Sequence, residues 1–248
     1  MKTDTIDSLC ETLAQVQNLP YQSRYHLGSI SDSNTHQFDL FTSTKPPDTL
    51  RTQEFIKFRD MFKRPGILSY KSRVNLALKL AWAVLQLSTS SWLHERWTKD
   101  NIFLIMDGDG NPTPYVLHHI QTCLDRSSSP ALSTNKADAI GIWTGYRPLF
   151  SLAILLLELC YHKSIEDLAM DEEKRAGEFW HLLTAIRLSK VVHHEFGLSY
   201  AQAVQACLNL PDVGVDLGGR PSDMLKLERS VFKNIIEPLK TCTEWFGD

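Results

Sequence analysis

The stretch RPLFSLAILLLELCYHK (residues 147–163) is apolar along almost its whole length and decides the fold of this chain. Its length and the proline near its start predict a helix. A helix without a polar face lies inside a helical domain rather than on its surface. Glu158 interrupts the apolar run, and a carboxylate there must be paired or have a raised pKa. We expect Glu158 to be structural and Cys160, two residues on, to lie in the core.

Other stretches with apolar residues at helical spacing surround this one. A helix is predicted over residues 51–64, where Phe55, Phe58 and Phe62 would share one face before Pro65-Gly66 ends it. Ser69 is a typical cap for the next helix, because its hydroxyl can accept a backbone N–H of the first turn. The helices predicted on these grounds cover residues 3–19, 51–64, 69–93, 171–190, 199–209 and 223–245.

Two segments predict β-hairpins. Residues 23–43 alternate weakly about a polar turn. A second hairpin is predicted about Asp-Gly-Asp-Gly-Asn (residues 107–111), the strongest turn signal in the chain. The pattern as a whole predicts a mainly α (α+β) fold. We expect a single domain over 1–248, with a small N-terminal lobe (1–65) and a larger helical lobe (66–248) around the central apolar helix.

Composition limits the possible functions. The hydrophobic fraction is 43% and the net charge is −3, so the whole chain is not an obvious binder of polyanions. The five cysteines are scattered without Cys-x-x-Cys spacing, and His118-His119 and His193-His194 are adjacent pairs whose side chains point apart. These patterns predict no disulfide framework, metal site or cofactor. Without a recognisable leader or membrane span, a soluble cytoplasmic protein is expected.

A basic segment contrasts with the overall charge. Between positions 51 and 79 there are eight basic and two acidic residues, although the chain as a whole carries a charge of −3. A segment of this kind can bind a phosphate backbone with salt-sensitive affinity. Lys57, Lys63 and Arg64 are the side chains that we expect to bind it. The alternative is a solvated surface above a phenylalanine-lined contact.

An acidic run follows the central helix in SIEDLAMDEEKRAGE (residues 164–178). Glu166, Asp167, Asp171 and Glu172 are candidate catalytic residues, because a carboxylate can bind a guanidinium or ammonium group or accept a proton as a general base. The alternative is ordinary acidity at a helix start, where residues 171–173 would favour the positive end of the helix dipole.

The order of these elements resembles the C-terminal lobe of the protein kinases. HERWTKDNIFLI (residues 94–105) is similar to the kinase run H-R-D-L-K-P-E-N-I-L-L, in register at His94, Asn101 and Ile102. More specifically, residues 76–93, 151–159 and 235–242 resemble a fungal family of degenerate kinase-like domains that are often found beside HeLo prion-inhibition modules. This resemblance implies a kinase-like fold over nearly the whole chain.

The residues that perform phosphoryl transfer in kinases are missing. Arg96 stands where the catalytic aspartate would be, and PYVLHHI (residues 114–120) stands where D-F-G would follow. The chain also lacks the glycine-rich loop and the V-A-I-K lysine that bind the phosphates. We therefore predict that it is not an active kinase. Arg96 and Asn101, in the former catalytic loop, are candidate substrate-binding residues; the alternatives are that Arg96 closes the former cleft and that Asn101 caps the loop.

Two functions from different classes follow from the resemblance. The chain looks like the arginine-containing cyclodipeptide synthases of fungal secondary metabolism, aminoacyltransferases that form a diketopiperazine from arginyl-tRNA and a second aminoacyl-tRNA. Their D-D-x-x-E signature has no strict match; the nearest pieces are Glu166-Asp167 with Asp171-Glu172, and residues 223–228. The alternative is a non-catalytic pseudokinase-like module that binds a protein partner in fungal signalling or non-self recognition.

Overall fold

The computed structural model of this protein describes residues 26–31, 37–41, 55–64, 66–87, 97–107, 110–116, 147–209 and 221–245. These residues are mainly helical, with small antiparallel sheets, which confirms the predicted mainly α class. The chain divides into two compact units, one of residues 1–53 and 118–133 and the other of residues 54–117 and 134–248. Residues 54–65, which the sequence grouped with the small lobe, thus belong to the same unit as the helices.

The first unit contains one described hairpin. Strands β1 (His26–Ser31) and β2 (Gln37–Phe41) are antiparallel, with Ser31 opposite Gln37 and a register irregularity between His26 and Gly28. The hairpin predicted over residues 23–43 is therefore confirmed. The helix predicted over residues 3–19 lies outside the described residues.

The second unit begins with a strand where the sequence predicted a helix. Phe55–Lys57 form β3, whose exposed–buried–exposed pattern has the period of a strand. Only Phe58–Met61 form a short helix, α1. The prediction of one helix over residues 51–64 is therefore wrong at positions 55–57, because Ile56 pairs with Leu104 of the neighbouring strand and tertiary pairing overrides a local helical pattern.

A three-stranded antiparallel sheet is built from β3, β4 (Ile102–Met106) and β5 (Pro112–Val116), with β4 in the middle. The predicted turn joins β4 to β5. Asp107 accepts the N–H of Gly110 on its carbonyl at 3.0 Å. Its Oδ1 accepts the N–H of Asn111 at 2.6 Å. Gly110 has a φ of 76°, a conformation that glycine adopts without strain.

Helix α2 (Tyr70–Leu87) starts at the predicted cap, since Ser69 Oγ accepts the N–H of Ser72 at 3.0 Å. Arg73 on α2 donates from Nη1 to the carbonyl oxygens of Leu159 and Cys160 at 3.1 and 2.9 Å. This arginine therefore satisfies carbonyls that the end of the next helix leaves without intrahelical partners.

Helix α3 (Arg147–Tyr161) is the apolar segment on which the fold prediction rested. Residues 155–160 are buried without interruption, and the helix packs against α2 and against two later helices, α6 (Trp180–Ser189) and α7 (His193–Asn209). Tyr200 Oη of α7 donates to the carbonyl of Leu156 at 2.8 Å. The prediction of a central helix surrounded by other helices is confirmed, and so is the burial of Cys160.

The remaining helices follow in chain order: α4 (Ile165–Leu168), α5 (Asp171–Lys174), a 3₁₀ turn (Gly177–Phe179), α6 (Trp180–Ser189), α7 (His193–Asn209), α8 (Pro221–Val231), a π-helical segment (Phe232–Ile236) and α9 (Glu237–Glu244). Gly197 breaks α7 near its start, with φ 81° and ψ 174°. The described helices are each too short or too polar to cross a lipid bilayer.

Candidate functional site

The turn after α3 brings the carboxylate of Glu158, a residue of α3, into contact with the start of α4. His162 takes a left-handed conformation (φ 50°), and the N–H of Lys163 donates to the carbonyl of Glu158 at 3.3 Å, which is the arrangement of a Schellman cap. Ser164 then caps α4 by accepting the N–H of Asp167 at 3.3 Å. The reversal brings the N–H of Ile165 to within 2.8 Å of Glu158 Oε1.

A cavity of about 300 Å³ lies beside this turn. Its wall combines the segment before β4, one side of α3, the start of α4 and the start of α6. The lining residues are Trp97, Thr98, Lys99, Asp100, Phe150, Ser151, Ile154, Leu155, Glu158, Ile165, Glu166 and His181. A largely apolar cavity with a few convergent polar groups is the usual form of a small-molecule site.

Lys99 connects two carboxylates across the cavity wall. Its Nζ lies 2.7 Å from Glu158 Oε1 and also contacts Glu166 Oε2. The Glu158 side chain is 1% exposed and that of Lys99 is 12% exposed, whereas Glu166 is half exposed. The inner ion pair is thus shielded from water, and the outer one lies at the cavity mouth.

The electrostatics of the three groups differ. Burial raises the pKa of Glu158 above its ordinary value, and Lys99 opposes that rise without cancelling it. Burial lowers the pKa of Lys99, but the two carboxylates outweigh it and the net direction is upward. Lys99 therefore remains an ammonium group, which lacks the lone pair of a nucleophilic amine. Burial also raises the pKa of Glu166, yet the hydrogen bond from Lys99 leaves it lowered.

His181 supplies a different kind of group to the lining. It stacks on Trp180, with ring centroids 3.5 Å apart. Burial lowers the pKa of His181 below its ordinary value, more than the neighbouring carboxylate of Glu166 raises it. The imidazole is therefore neutral near pH 7 and able to accept a proton.

The candidate catalytic carboxylates are placed differently from one another. Glu166 lines the cavity, whereas Asp167 accepts a hydrogen bond from Ser164 Oγ at 2.6 Å on Oδ2 and completes the cap of α4. Asp171 and Glu172 are exposed in the first turn of α5. The structure therefore brings Glu166 into the site and leaves the roles of the other three as predictions.

Among the described residues, none of the candidate substrate-binding residues is part of the cavity lining. Lys57, Lys63 and Arg64 are exposed, and Lys63 pairs with Asp60 at 2.8 Å. Between them, Arg59 Nη1 lies 2.9 Å from Oδ1 of Asp100, which lines the cavity. The basic segment therefore adjoins the mouth of the site.

Other basic residues of the segment have internal partners. Arg73 is engaged at the end of α3, and Lys79 Nζ donates to the carbonyl of Pro112 at 2.8 Å. Asn101 lies in the turn before β4, where its N–H donates to the carbonyl of Thr98 at 3.0 Å. Arg96 lies outside the described residues.

Sequence reasoning missed Lys99, His181 and Trp97, and it assigned Glu158 to structure alone. The one available signal was the carboxylate inside an apolar run. No local pattern marked Lys99, which is 59 positions from Glu158 in the chain. Across the described ranges no group of three His, Cys, Asp or Glu side chains has the arrangement of a metal site.

Comparison with known proteins assigns the chain to a family without assigning an activity. A search of curated proteins found no match. A family model described as a domain of unknown function, DUF7580, matches residues 1–245. Because this match covers nearly the whole chain, the protein belongs to the DUF7580 family.

Proposed function

We propose that this chain is an aminoacyltransferase of the arginine-containing cyclodipeptide synthase type, carried on a degenerate protein-kinase-like scaffold. The observation that carries the proposal is the charge of the cavity. Three carboxylates (Asp100, Glu158 and Glu166) and one lysine line it, so the lining is formally two charges negative, and it stays negative by one charge when Arg59, the partner of Asp100, is counted. Such a cavity favours cationic groups, and arginyl-tRNA offers two of them, a guanidinium and an α-ammonium.

The chemistry of this reaction needs little more than positioning and proton transfer. Each aminoacyl-tRNA is an activated ester, and the α-amine of one attacks the ester carbonyl of the other with release of a tRNA hydroxyl. The second amine then closes the ring and releases the second tRNA. Both amines must first lose a proton, and the neutral imidazole of His181 and the carboxylate of Glu166 are acceptors at the cavity.

The position of the basic segment supports the use of tRNA. Lys57, Lys63 and Arg64 are exposed, and the ion pair from Arg59 to Asp100 joins their segment to the cavity rim. A phosphate backbone held on these side chains would bring its aminoacylated end to the cavity. Affinity should then fall as the salt concentration rises, because phosphate binding releases counterions.

The same features favour this activity over phosphoryl transfer. A nucleotide triphosphate would meet the carboxylates of Glu158 and Glu166, and the ammonium of Lys99 is already engaged by both. Groups that bind phosphates in kinases are cationic or hold metal ions. The cavity therefore favours a cation over a phosphate group that carries no metal ion.

The direct test supplies purified protein with arginyl-tRNA and a mixed pool of aminoacyl-tRNAs and detects products by mass spectrometry. An arginine-containing cyclic dipeptide is expected, and its absence under all pools would refute the proposal. The Glu166→Gln variant should form product about 100-fold more slowly or worse, which is the usual contribution of an acid–base group. Glu178→Gln, an exposed carboxylate in the 3₁₀ turn before α6, is the matched control and should retain the rate.

A second test addresses the tRNA surface. Reversing the charges of Lys57, Lys63 and Arg64 together should abolish product formation while leaving the far-ultraviolet circular dichroism unchanged. The matched control reverses three exposed cations on α8, the π-helical segment and α9: Arg229, Lys233 and Lys240. Equal loss in both variants would show a general effect of net charge and would contradict the assignment of the surface.

A second candidate function is the pseudokinase-like binding module, and one observation favours it. Trp82 on α2 and Phe232 are 38% and 41% exposed, and their rings meet edge to face with centroids 5.9 Å apart. Exposed aromatic pairs are common anchors of protein interfaces. A stoichiometric partner that binds the wild type and is lost on Trp82→Ser, together with no cyclic dipeptide from the pure protein, would select this function.

A further inference from the structure

Two buried polar atoms in the cavity wall have no hydrogen-bond partner among the described residues. They are Oε2 of Glu158 and Nε1 of Trp97. Both residues are almost fully buried, at 0% and 3% exposure, and both line the cavity. Leaving a buried polar group unpaired costs about 1–3 kcal/mol, so a bound water or a ligand is the expected partner of such an atom.

The two oxygens of Glu158 are not equivalent. Oε1 accepts from Lys99 Nζ at 2.7 Å and from the N–H of Ile165 at 2.8 Å, and these two donors hold the carboxylate in place. Oε2 accepts from no described residue. Because the contacts of Oε1 hold the carboxylate in one orientation, Oε2 is preorganised to accept an N–H group of a ligand in the cavity.

Trp97 complements this acceptor with a donor. The indole N–H can only donate, so its missing partner must be an acceptor such as a carbonyl oxygen. A ligand that satisfies both atoms must offer a hydrogen-bond donor to Glu158 and an acceptor to Trp97, and the ammonium and carbonyl groups of an α-aminoacyl compound provide these two. The cavity of about 300 Å³ has room for one small molecule and not for a dinucleotide.

The geometry points to Glu158 and Trp97 as the residues that bind the α-aminoacyl group: Glu158 Oε2 accepts from its α-ammonium and Trp97 Nε1 donates to its carbonyl oxygen. This inference rests on the proposed function, since it names the part of the aminoacyl-tRNA that the cavity takes. Phe150, Ile154 and Leu155 form the apolar part of the wall, against which the aliphatic carbons of the amino acid pack.

Binding can be measured without tRNA or turnover. The probes are L-argininamide and L-leucinamide, which keep the ammonium and the carbonyl, and their Nα-acetyl derivatives, which lose the charge. Isothermal titration of the full chain should show binding of one or both free amides. Acetylation should weaken binding about 10-fold or more, as expected for a hydrogen bond between charged groups. Failure of both amides to bind at millimolar concentration, or equal binding of the acetylated forms, overturns the inference.

Two variants separate the two contacts. In Glu158→Gln the amide oxygen can take the place of Oε1 and keep the hydrogen bonds from Lys99 and Ile165. The NH₂ group then takes the place of Oε2 and cannot accept a hydrogen bond. This variant should bind the free amides about 10-fold more weakly or worse. Trp97→Phe keeps an aromatic ring but lacks the N–H. This variant should bind L-argininamide no more tightly than it binds agmatine, which has no carbonyl group. Agmatine should bind both proteins equally.

The outcomes distinguish this inference from the proposed function. If Glu158→Gln folds, as judged by its thermal midpoint, and makes cyclic dipeptide at the wild-type rate, the inference fails and the function stands. If the amides bind and both variants weaken them, but the wild type makes no product from aminoacyl-tRNA, the inference stands and the proposed function fails. Should Glu158→Gln not fold, the comparison of L-argininamide with agmatine on Trp97→Phe decides alone.

Discussion

Replacing Lys99 by methionine isolates the charge at the centre of the site, since methionine keeps most of the aliphatic side chain and removes the ammonium. The variant leaves Glu158, which is 1% exposed, without its cation. Breaking a buried ion pair in this way costs about 3–5 kcal/mol. Because the Lys99 side chain keeps 12% of its surface exposed, we expect the lower end, a loss of about 3 kcal/mol in the free energy of unfolding.

The second ion pair of Lys99 contributes much less. Glu166 is half exposed, and exposed pairs are typically worth about 0–1 kcal/mol. Glu166→Gln is therefore the control and should lower the unfolding free energy by less than about 1 kcal/mol. The double variant Lys99→Met/Glu158→Gln should recover part of the loss, because it removes the buried charge together with its partner, with a coupling of about 1–3 kcal/mol.

Urea denaturation followed by circular dichroism measures these differences. The direction in which the loss of stability changes with pH is a further test, because a change in packing alone does not depend on pH. Burial raises the folded-state pKa of Glu158 above its ordinary value of 4.5, so the folded state binds more protons than the unfolded state between the two values. Stability from this group is present at low pH and is lost as pH rises through the folded pKa. The deficit of Lys99→Met should therefore shrink on acidification towards pH 4.5. A loss no larger than that of Glu166→Gln, or a deficit that grows on acidification, would refute the reasoning.

Three other predictions concern the scaffold. Gly197→Ala should lower the unfolding free energy by about 1–3 kcal/mol, because φ 81° and ψ 174° strain any residue with a Cβ. The cost is backbone strain alone, since the added Cβ would meet no atom within 4 Å. An unchanged urea midpoint would contradict this prediction. The hydrogen bond from Arg187 lowers the pKa of Glu173 to about 2, so Glu173 stabilises the fold above pH 4.5 and this stability is lost as pH falls through 2. Glu173→Gln should flatten that part of an acid titration, and a curve parallel to the wild type would be the contrary result. Burial lowers the pKa of His162 below 6.5, so wild-type stability should fall as pH drops below 6.5, and His162→Asn, which tolerates the left-handed backbone, should reduce that slope measured by urea midpoints. An identical slope in both proteins would exclude His162 as its source.

Local signals in the sequence were sufficient for most elements of the fold. The apolar run of α3 predicted its central position, Ser69 predicted the start of α2, and the Asp-Gly-Asp-Gly-Asn turn predicted the hairpin of β4 and β5. Each of these signals acts over a few residues, through burial, capping or turn geometry. The strand at residues 55–57 was missed because its stability comes from pairing with β4, nearly 50 positions further along the chain.

The site depended on contacts between distant positions. From the sequence, Glu158 is a carboxylate in an apolar run that must find a partner, and Glu166 is one acid among several. Only the tertiary structure identifies Lys99 as the partner of both. The sequence alone therefore determined that a charge would be buried in the central helix, because an apolar helix surrounded by helices leaves no water for Glu158. Only the folded chain decided how that charge is balanced and that one carboxylate oxygen is left without a partner among the described residues, because ion pairing depends on distances in space and not on spacing along the chain.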